Sequence, residues 1–250
     1  MNKPLRTAFI ASLIFFACAL VQAEPERLLV TGVASNLKTG KVVYREYHDI
    51  TKAQHTVRYV DEKEKLIASK TIKYLHGFST PEYQLQDQRV DRKTGSEWKK
   101  DHFIIFRQEA SEKRHEEKVD AADDLVIDAG FDHFIRTHWE TLIDGKVLPF
   151  SFAIADPLTT LHMQLTEVTA AKTAIKQHND RYRYFLASSR NKLISWAIPD
   201  INLAYDRETR LIQVYQGPSN ITDQHDKTQN VTIRYEYQYP DFVSDAEKRQ

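Results

Sequence analysis

The sequence has 250 residues with 35 basic and 35 acidic side chains, 41% hydrophobic and 11% aromatic residues, one cysteine and seven glycines. This content can build a folded core and excludes global disorder, while the scarcity of glycine excludes a phosphate loop, a dinucleotide fingerprint and a nucleophile elbow. The zero net charge argues against a partner such as nucleic acid that is bound through a bulk electric field.

The N-terminal segment, residues 1–23, has the layout of a secretory signal peptide. Lys3 and Arg6 give it a positive start, and the run from Thr7 to Ala23 carries no charge. This run has 17 residues, fewer than the ~20 that span a bilayer core. We therefore predict cleavage after Ala23, export to the periplasm, and no transmembrane segment in the mature chain.

The only cysteine, Cys18, lies inside this segment and makes a lipoprotein anchor the alternative interpretation. Phe15 stands where a lipobox usually has an aliphatic residue, and the chain after Cys18 does not begin as a polar tether, so anchoring is disfavoured. Cleavage also removes two of the 35 basic side chains and leaves two more acidic than basic groups. A mature chain without cysteine has no disulfide, no thiol nucleophile and no cysteine-ligated metal.

Most of the mature chain shows the period-two alternation of half-buried strands, as in Val231, Ile233 and Tyr235. Short polar connections force neighbouring strands to be antiparallel, and glycines fall in or beside them. We predict a mainly-β single domain over 24–250, an antiparallel meander that forms a strongly curved sheet or open barrel, with a frayed tail at 244–250. Predicted strands are 28–34, 41–48, 55–60, 65–75, 82–90, 102–107, 148–154, 161–165, 181–187, 201–205, 211–216 and 231–237; predicted turns include 35–40, 61–64, 91–95 and 206–210, with Gly40, Gly95, Gly145 and Gly217.

One segment breaks this period. From about 130 to 144 the apolar residues recur at intervals of three and four, which predicts one amphipathic helix packed against the sheet. Asp128 can cap its start and Gly145 can end it. The stretch 108–118 has mixed charge and is predicted to be a solvated loop or strand extension. The apolar face of the helix consists of Phe131, Phe134, Ile135, His138, Trp139, Leu142 and Ile143.

His138 lies in the middle of this apolar face, where an imidazole must find a hydrogen-bond partner. A satisfied core histidine is the favoured interpretation. The alternative is a general base, working with Asp132 or Asp128 as the carboxylate.

No metal site or cofactor is expected. His133 and His138 are five residues apart and so point about 140° away from each other on a helix. The aspartates within 120–128 lack the spacing, glycine and terminal glutamate of a calcium loop.

The aromatic content suggests a ligand site. Twelve tyrosines, twelve phenylalanines and three tryptophans are present, and few of them belong to the signal segment. A sheet bent around an aromatic helix can leave a groove for an acyl chain, although the same residues could simply fill a core. The expected ligand-binding residues are Phe131, Phe134, His138, Trp139, Tyr182 and Tyr184.

The early hairpins at 28–75, the segment 128–132 and the late segment 215–221 together resemble the periplasmic half-barrel proteins related to the lipoprotein carriers LolA and LolB, and domains of unknown function that share this architecture. The resemblance implies a half-barrel fold and carries over no site residue, because fold alone does not determine function.

Three functions are compatible with these features. The leading hypothesis is non-catalytic binding of an apolar or amphiphilic, lipid-like ligand between sheet and helix. The alternatives are a periplasmic hydrolase that uses His138 with Asp132, and a cell-envelope scaffold that binds a protein partner through an exposed strand edge.

Overall fold

A computed structural model describes residues 27–51, 54–191 and 198–238. The predicted signal peptide, Cys18 and the tail 244–250 lie outside these residues. The helices are α1 (Gly130–Thr137) and α2 (Trp139–Ile143). The strands are β1 (Leu28–Asn36), β2 (Val42–Ile50), β3 (His55–Val60), β4 (Leu66–Lys73), β5 (Glu82–Asp87), β6 (Arg92–Lys99), β7 (His102–Gln108), β8 (His115–Asp120), β9 (Leu125–Ile127), β10 (Leu148–Ala155), β11 (Leu158–Val168), β12 (Tyr182–Ser189), β13 (Ile201–Asp206), β14 (Ile212–Pro218) and β15 (Asn230–Gln238).

All the strands form one sheet in the order β8-β7-β6-β5-β4-β3-β2-β1-β15-β14-β13-β12-β11-β10-β9. The first and last strands along the chain, β1 and β15, pair in the middle of the sheet. Every pairing is antiparallel except that of β9 with β10. Between strands that follow each other along the chain through a short connection, only the antiparallel arrangement is possible. The predicted mainly-β class and curved antiparallel meander are confirmed.

The parallel pair has its own explanation in the chain. Residues 128–147, which include both helices, connect β9 to β10. A parallel pair needs a crossover of about a dozen residues or more, usually a helix. The one helical segment of the described chain is thus the crossover that makes this parallel pairing possible.

The sheet bends until its two ends meet, but it does not close through a hydrogen-bonded ladder, since β8 and β9 remain edge strands. Phe103 and Ile105 of β7 and Val119 of β8 share one buried cluster with Leu125 and Ile127 of β9. Side-chain packing therefore closes this seam, and the fold is an open barrel.

The helical segment packs with its predicted apolar face against the inside of the sheet. Phe131, Phe134, Ile135, Trp139 and Leu142 are all buried there. Their burial, worth about 1.5–3 kcal/mol for each large apolar side chain, explains why this short segment is ordered on the barrel.

The single predicted helix is divided at His138. The backbone nitrogen and the ring Nδ1 of His138 both lie within hydrogen-bond distance of the carbonyl oxygen of Phe134, at 3.1 and 2.9 Å. The ring therefore competes for the acceptor of the helical ladder, and the backbone at His138 leaves helical geometry (φ −99°, ψ 17°).

Of the two predicted ends of the helical segment, the C-terminal one is confirmed and the N-terminal one is wrong. Gly145 follows α2 with φ +79°, a conformation that favours glycine, as predicted. The prediction that Asp128 caps the start is wrong. Ala129 occupies the cap position without a side-chain hydrogen bond, and Asp128 has φ +44° and binds Lys70 instead.

One further sequence prediction needs correction, while the predicted solvated loop or strand extension at 108–118 is confirmed. The predicted turn 91–95 is mostly strand β6, and Gly95 lies inside it. A Cβ atom there would come within 2.2 Å of the carbonyl oxygen of Tyr83 and 2.6 Å of the Phe106 ring, so glycine serves close packing and not a turn. The stretch 108–118 ends in the exposed edge strand β8, whose charged side chains discourage pairing with another chain.

No helix in the described part of the chain has the length and apolar character needed to span a membrane.

Candidate functional site

The barrel encloses a cavity of about 1540 Å³, larger than the usual ~300–1,000 Å³ of a ligand pocket. Its wall combines buried apolar side chains, among them Ile72, Leu85 and Leu203, with polar groups from β2, β3 and β4. Leu75 and Phe78, in the connection between β4 and β5, line the cavity and are also 67% and 56% exposed. The cavity therefore reaches the surface beside this connection, which we call the rim.

The rim is held against α1. The N–H of Ile127 donates to the carbonyl oxygen of Ser79 at 2.9 Å, and Phe78 stacks on His133 with ring centroids 4.6 Å apart. A Cβ atom at Gly130 would lie 2.0 Å from that same Ser79 oxygen. Glycine at the start of α1 thus permits the close approach that fixes the rim.

The opposite end of the barrel is closed by an ionic network. Arg92 has a side chain only 7% exposed and binds Glu109 at 2.8 Å, Asp156 at 3.2 Å and Asp226. Arg107 binds the second oxygen of Asp156 at 2.8 Å. Burial raises the pKa of Asp156 despite these two arginines. The network joins β6 and β7 to the β10–β11 turn, across the seam.

A buried carboxylate, Glu46, projects from β2 into the cavity wall and is only 4% exposed. It stands opposite Gly32 of β1, and Gly32 in turn stands opposite Tyr235 of β15. A Cβ atom at Gly32 would come within 2.6 Å of Glu46 Cγ. The glycine therefore makes room for the carboxylate to reach Tyr235.

A line of polar side chains continues from Glu46 along the wall. His48 Nε2 lies 3.3 Å from Glu46 Oε1, near enough for an ion pair but not aligned for a hydrogen bond. His48 Nδ1 lies 3.0 Å from His55 Nε2, and His55 Nδ1 lies 3.1 Å from the Tyr74 hydroxyl. We call Glu46, His48, His55, Tyr74 and Tyr235 the polar cluster.

The environment sets the charge of its members. Burial acts to raise the pKa of Glu46, but contacts with His48 and Tyr235, together with the charge of Lys70, outweigh it and hold that pKa below its ordinary value. Burial, followed by the positive charge of His48, lowers the pKa of His55 to about 3. Burial, with a contribution from nearby carboxylates, raises the pKa of Tyr74 to about 12. At neutral pH the cluster therefore holds a carboxylate, a neutral His55 and a protonated phenol.

The direction of its hydrogen bonds follows from these states. A carboxylate only accepts, so the tautomer of His48 that suits the 3.3 Å approach to Glu46 is the one with its proton on Nε2, although no hydrogen bond is aligned there. His48 Nδ1 then accepts from His55, and His55 Nδ1 accepts from Tyr74. Burial and the charge of Glu46 raise the pKa of Tyr235 well above its usual value, so this phenol donates as well. All the protons of the polar cluster point towards Glu46.

Beside this cluster lies a second buried group, the ion pair of Lys70 and Asp128. Lys70 Nζ lies 3.0 and 2.8 Å from the two Asp128 oxygens and 5.3 Å from the ring centroid of Tyr83. Burial acts to lower the pKa of Lys70, but the charge of Asp128 outweighs it and raises that pKa. The lysine therefore stays charged inside the wall.

Of the predicted aromatic ligand contacts on the helical segment, the structure places only Phe131 in the cavity wall. Phe134 packs against Phe150, with ring centroids 5.5 Å apart. Trp139 packs between Phe185 and Tyr205 behind the wall. These two aromatics belong to the core that supports the cavity.

Tyr182 and Tyr184 lie on the other face of the sheet. Tyr184 is buried in a small cluster with Ile175, Ala204 and Val214, and Tyr182 packs against it. Alternation brought both tyrosines to one face, as predicted, but that face points away from the cavity.

The predicted catalytic pair is not assembled among the described residues. His138 uses Nδ1 on the Phe134 carbonyl, whereas Asp132 accepts from Tyr205 at 3.0 Å and from Arg136 at 2.9 Å. Asp132 does line the cavity. No hydrogen bond or ion pair between described residues joins His138 to Asp132 or Asp128.

Across residues 27–51, 54–191 and 198–238, no group of three or more His, Cys, Asp or Glu side chains is arranged to hold a metal ion.

The polar cluster was missed at the sequence level. Tyr44, Glu46 and His48 alternate on one face of β2, and Val43, Arg45 and Tyr47 would have formed an equally plausible inner face. The signal available was the abundance of histidine and tyrosine at matching positions of three successive predicted strands, which a period-two pattern alone does not orient.

The strands and the cavity define a mainly-β, barrel-like protein. The chain matches no protein-family model and no curated protein. It is similar to a beta-barrel-like protein of the domain of unknown function DUF1849 from Brucella abortus, with 7% identity, 85% of this chain and 98% of that chain covered, and a TM-score of 0.49.

Proposed function

We propose that this protein binds an apolar or amphiphilic, lipid-like ligand inside the barrel, without catalysis, in the periplasm. The observation that carries the proposal is the internal cavity, whose volume exceeds that of most small-molecule sites and whose wall is mainly apolar. Export through the N-terminal segment is part of the same proposal.

The rim supports this proposal. Contact of the exposed apolar side chains of Leu75 and Phe78 with water is unfavourable relative to their burial. Both lie where a ligand would enter the cavity and could cover them. A hydrolase receives less support from the polar cluster, because Tyr74 with a pKa of about 12 is a poor nucleophile at neutral pH.

A cavity-filling substitution tests the proposal. Leu161 is half-buried and lines the cavity, so Leu161→Trp should occupy ligand space and weaken binding of the fluorescent apolar probe N-phenyl-1-naphthylamine by about tenfold. Leu186, half-buried on the neighbouring strand β12 but facing outwards with Tyr184, provides the matched control Leu186→Trp, which should bind the probe normally.

The native ligand is sought by native mass spectrometry and by organic extraction of protein purified from the periplasm. A wild-type protein that is isolated empty and also fails to bind the probe would contradict the proposal. So would equal probe binding by the two tryptophan variants.

A further inference from the structure

Most charged groups of the cavity wall are paired, and among the described residues the exceptions are the buried Glu46 and Lys73, which is exposed at the end of β4. Asp128 is bound to Lys70 and Asp132 to Arg136. At the opposite end Asp156 is bound to Arg92 and Arg107, and Asp87 to Arg89. Glu46, among the described residues, has no lysine or arginine within ion-pair distance. The one basic side chain within ion-pair distance of it, among the described residues, is His48, which is charged only when protonated.

Glu46 is a buried carboxylate for which the fold provides a specific space. It is almost fully buried, and the absence of a side chain at Gly32 opens the space it occupies. Burying a carboxylate without a cation costs several kcal/mol unless other groups compensate. The protein supplies a hydrogen bond from Tyr235, the ring of His48 at 3.3 Å and the charge of Lys70 beyond ion-pair distance, but no direct lysine or arginine partner among the described residues.

The surrounding groups present acceptors to the cavity. Tyr235 donates its hydroxyl proton to Glu46 and Tyr74 donates to His55, so the lone pairs of their oxygens are what they can offer to a ligand. Both phenols are only half-buried and line the cavity. This part of the wall therefore combines a negative charge with acceptor oxygens and aromatic rings.

The wall already accommodates one ammonium group. Lys70 places its Nζ between a carboxylate and the Tyr83 ring, an arrangement that recognises cations through both charge and the ring face. The pairing with both oxygens of Asp128 satisfies this lysine. Beside the polar cluster an anionic headgroup would therefore face Glu46, because the lining lysine without an ion pair in the described chain, Lys73, is exposed at the end of β4.

From this geometry, and resting on the proposed function, we infer that the ligand is an amphiphile with a cationic, ammonium-type headgroup, which the polar cluster binds through Glu46 while the apolar chain occupies the rest of the cavity. An ammonium has three donors and no acceptor, which matches the acceptor groups of this wall.

The test is a headgroup series with a constant chain. Dodecylammonium, dodecanol and dodecanoate, each below its micelle concentration, compete with N-phenyl-1-naphthylamine for the wild-type protein at pH 7.5. Dodecylammonium should bind about tenfold more tightly than dodecanoate. Equal affinities, or tighter binding of dodecanoate, would overturn the inference and leave the proposed function standing. Failure of all three to bind would overturn the proposed function itself.

Glu46→Gln keeps the size of the side chain and removes its charge. It should weaken dodecylammonium binding by about tenfold and leave dodecanol binding within about twofold. Glu64→Gln, at an exposed carboxylate outside the barrel, is the matched control and should change neither affinity. An unchanged dodecylammonium affinity in folded Glu46→Gln also overturns the inference, and where this variant does not fold, the wild-type series decides.

Discussion

At the scale of single residues, His55 shows how burial is converted into pH dependence. The imidazole is buried between His48 and Tyr74, and its pKa is lowered from 6.5 to about 3. In the unfolded chain it takes up a proton near pH 6.5, whereas in the folded protein it does not. Its contribution to stability is therefore complete above about pH 6.5 and is lost as the pH falls towards 3.

We predict that His55→Gln makes the protein less sensitive to acid. Between pH 7 and pH 5 the free energy of unfolding of the wild type should fall by about 2 kcal/mol more than that of the variant. Between the two pKa values of His55, each pH unit changes the free energy of unfolding by about 1.4 kcal/mol, because the unfolded chain binds one more proton. Urea unfolding at pH 7, 6 and 5 measures the difference. His225→Gln, at an exposed histidine, should keep the wild-type slope, and identical slopes in all three proteins would refute the prediction.

The same residue shows what alternation can and cannot predict. The strand at 55–60 was predicted at its observed bounds, because His55, Val57 and Tyr59 alternate with more polar residues. That His55 would meet His48 depends on the β2–β3 register, which places His48 opposite Val57 and Ile50 opposite His55. Register is a property of paired strands and is not contained in either strand alone.

At the scale of elements, the Lys70–Asp128 pair fastens the start of the helical segment to β4. Lys70 is 5% exposed and Asp128 15% exposed at their side chains. Removing one member of a buried pair leaves an uncompensated charge, whereas removing both does not. The pair should therefore show strong coupling.

We predict that Asp128→Asn destabilises the protein by about 3 kcal/mol, through the unpaired charge on Lys70. Asparagine tolerates the left-handed backbone at this position nearly as well as aspartate, so backbone strain contributes little. The double variant Lys70→Met/Asp128→Asn should recover most of the loss. Thermal and urea unfolding of the three variants form a double-mutant cycle, and additive effects would contradict a coupled pair.

The helical segment itself was largely predictable, because its apolar residues repeat at helical spacing and are buried as expected. The break at His138 was not, since it arises from competition between a ring nitrogen and a backbone N–H for one carbonyl. The role of Asp128 was also missed, because its partner Lys70 is 58 residues away in the sequence.

At the scale of the whole molecule, the sheet has a strong centre and a weak seam. The meander was predicted from short turns, but two pairings lie beyond local patterns: β1 with β15, which joins the two ends of the domain, and the parallel pair of β9 with β10. The cavity is a consequence of how far the sheet bends before its ends meet, and no periodicity in the sequence reports that bending.

The seam between β7–β8 and β9–β10 lacks ladder hydrogen bonds and is held by packing and by the ionic network around Asp156. Elements held without a ladder open more readily than strands paired on both sides. We therefore predict that, in the wild type, amide hydrogens of β8 and β9 exchange faster than those of β1 and β15.

Asp156→Asn should widen that difference. It weakens the bonds to Arg92 and Arg107, leaves Arg92 buried with less compensation, and thereby lowers the free energy of opening at the seam by about 1–3 kcal/mol. Hydrogen exchange followed by mass spectrometry should show faster exchange confined to β6–β10, with the β1–β15 centre unchanged. Asp61→Asn, in the β3–β4 turn, is the control and should affect exchange only beside that turn. Uniform acceleration throughout the sheet would mean that the barrel unfolds as one unit and that the seam is no weaker than its centre.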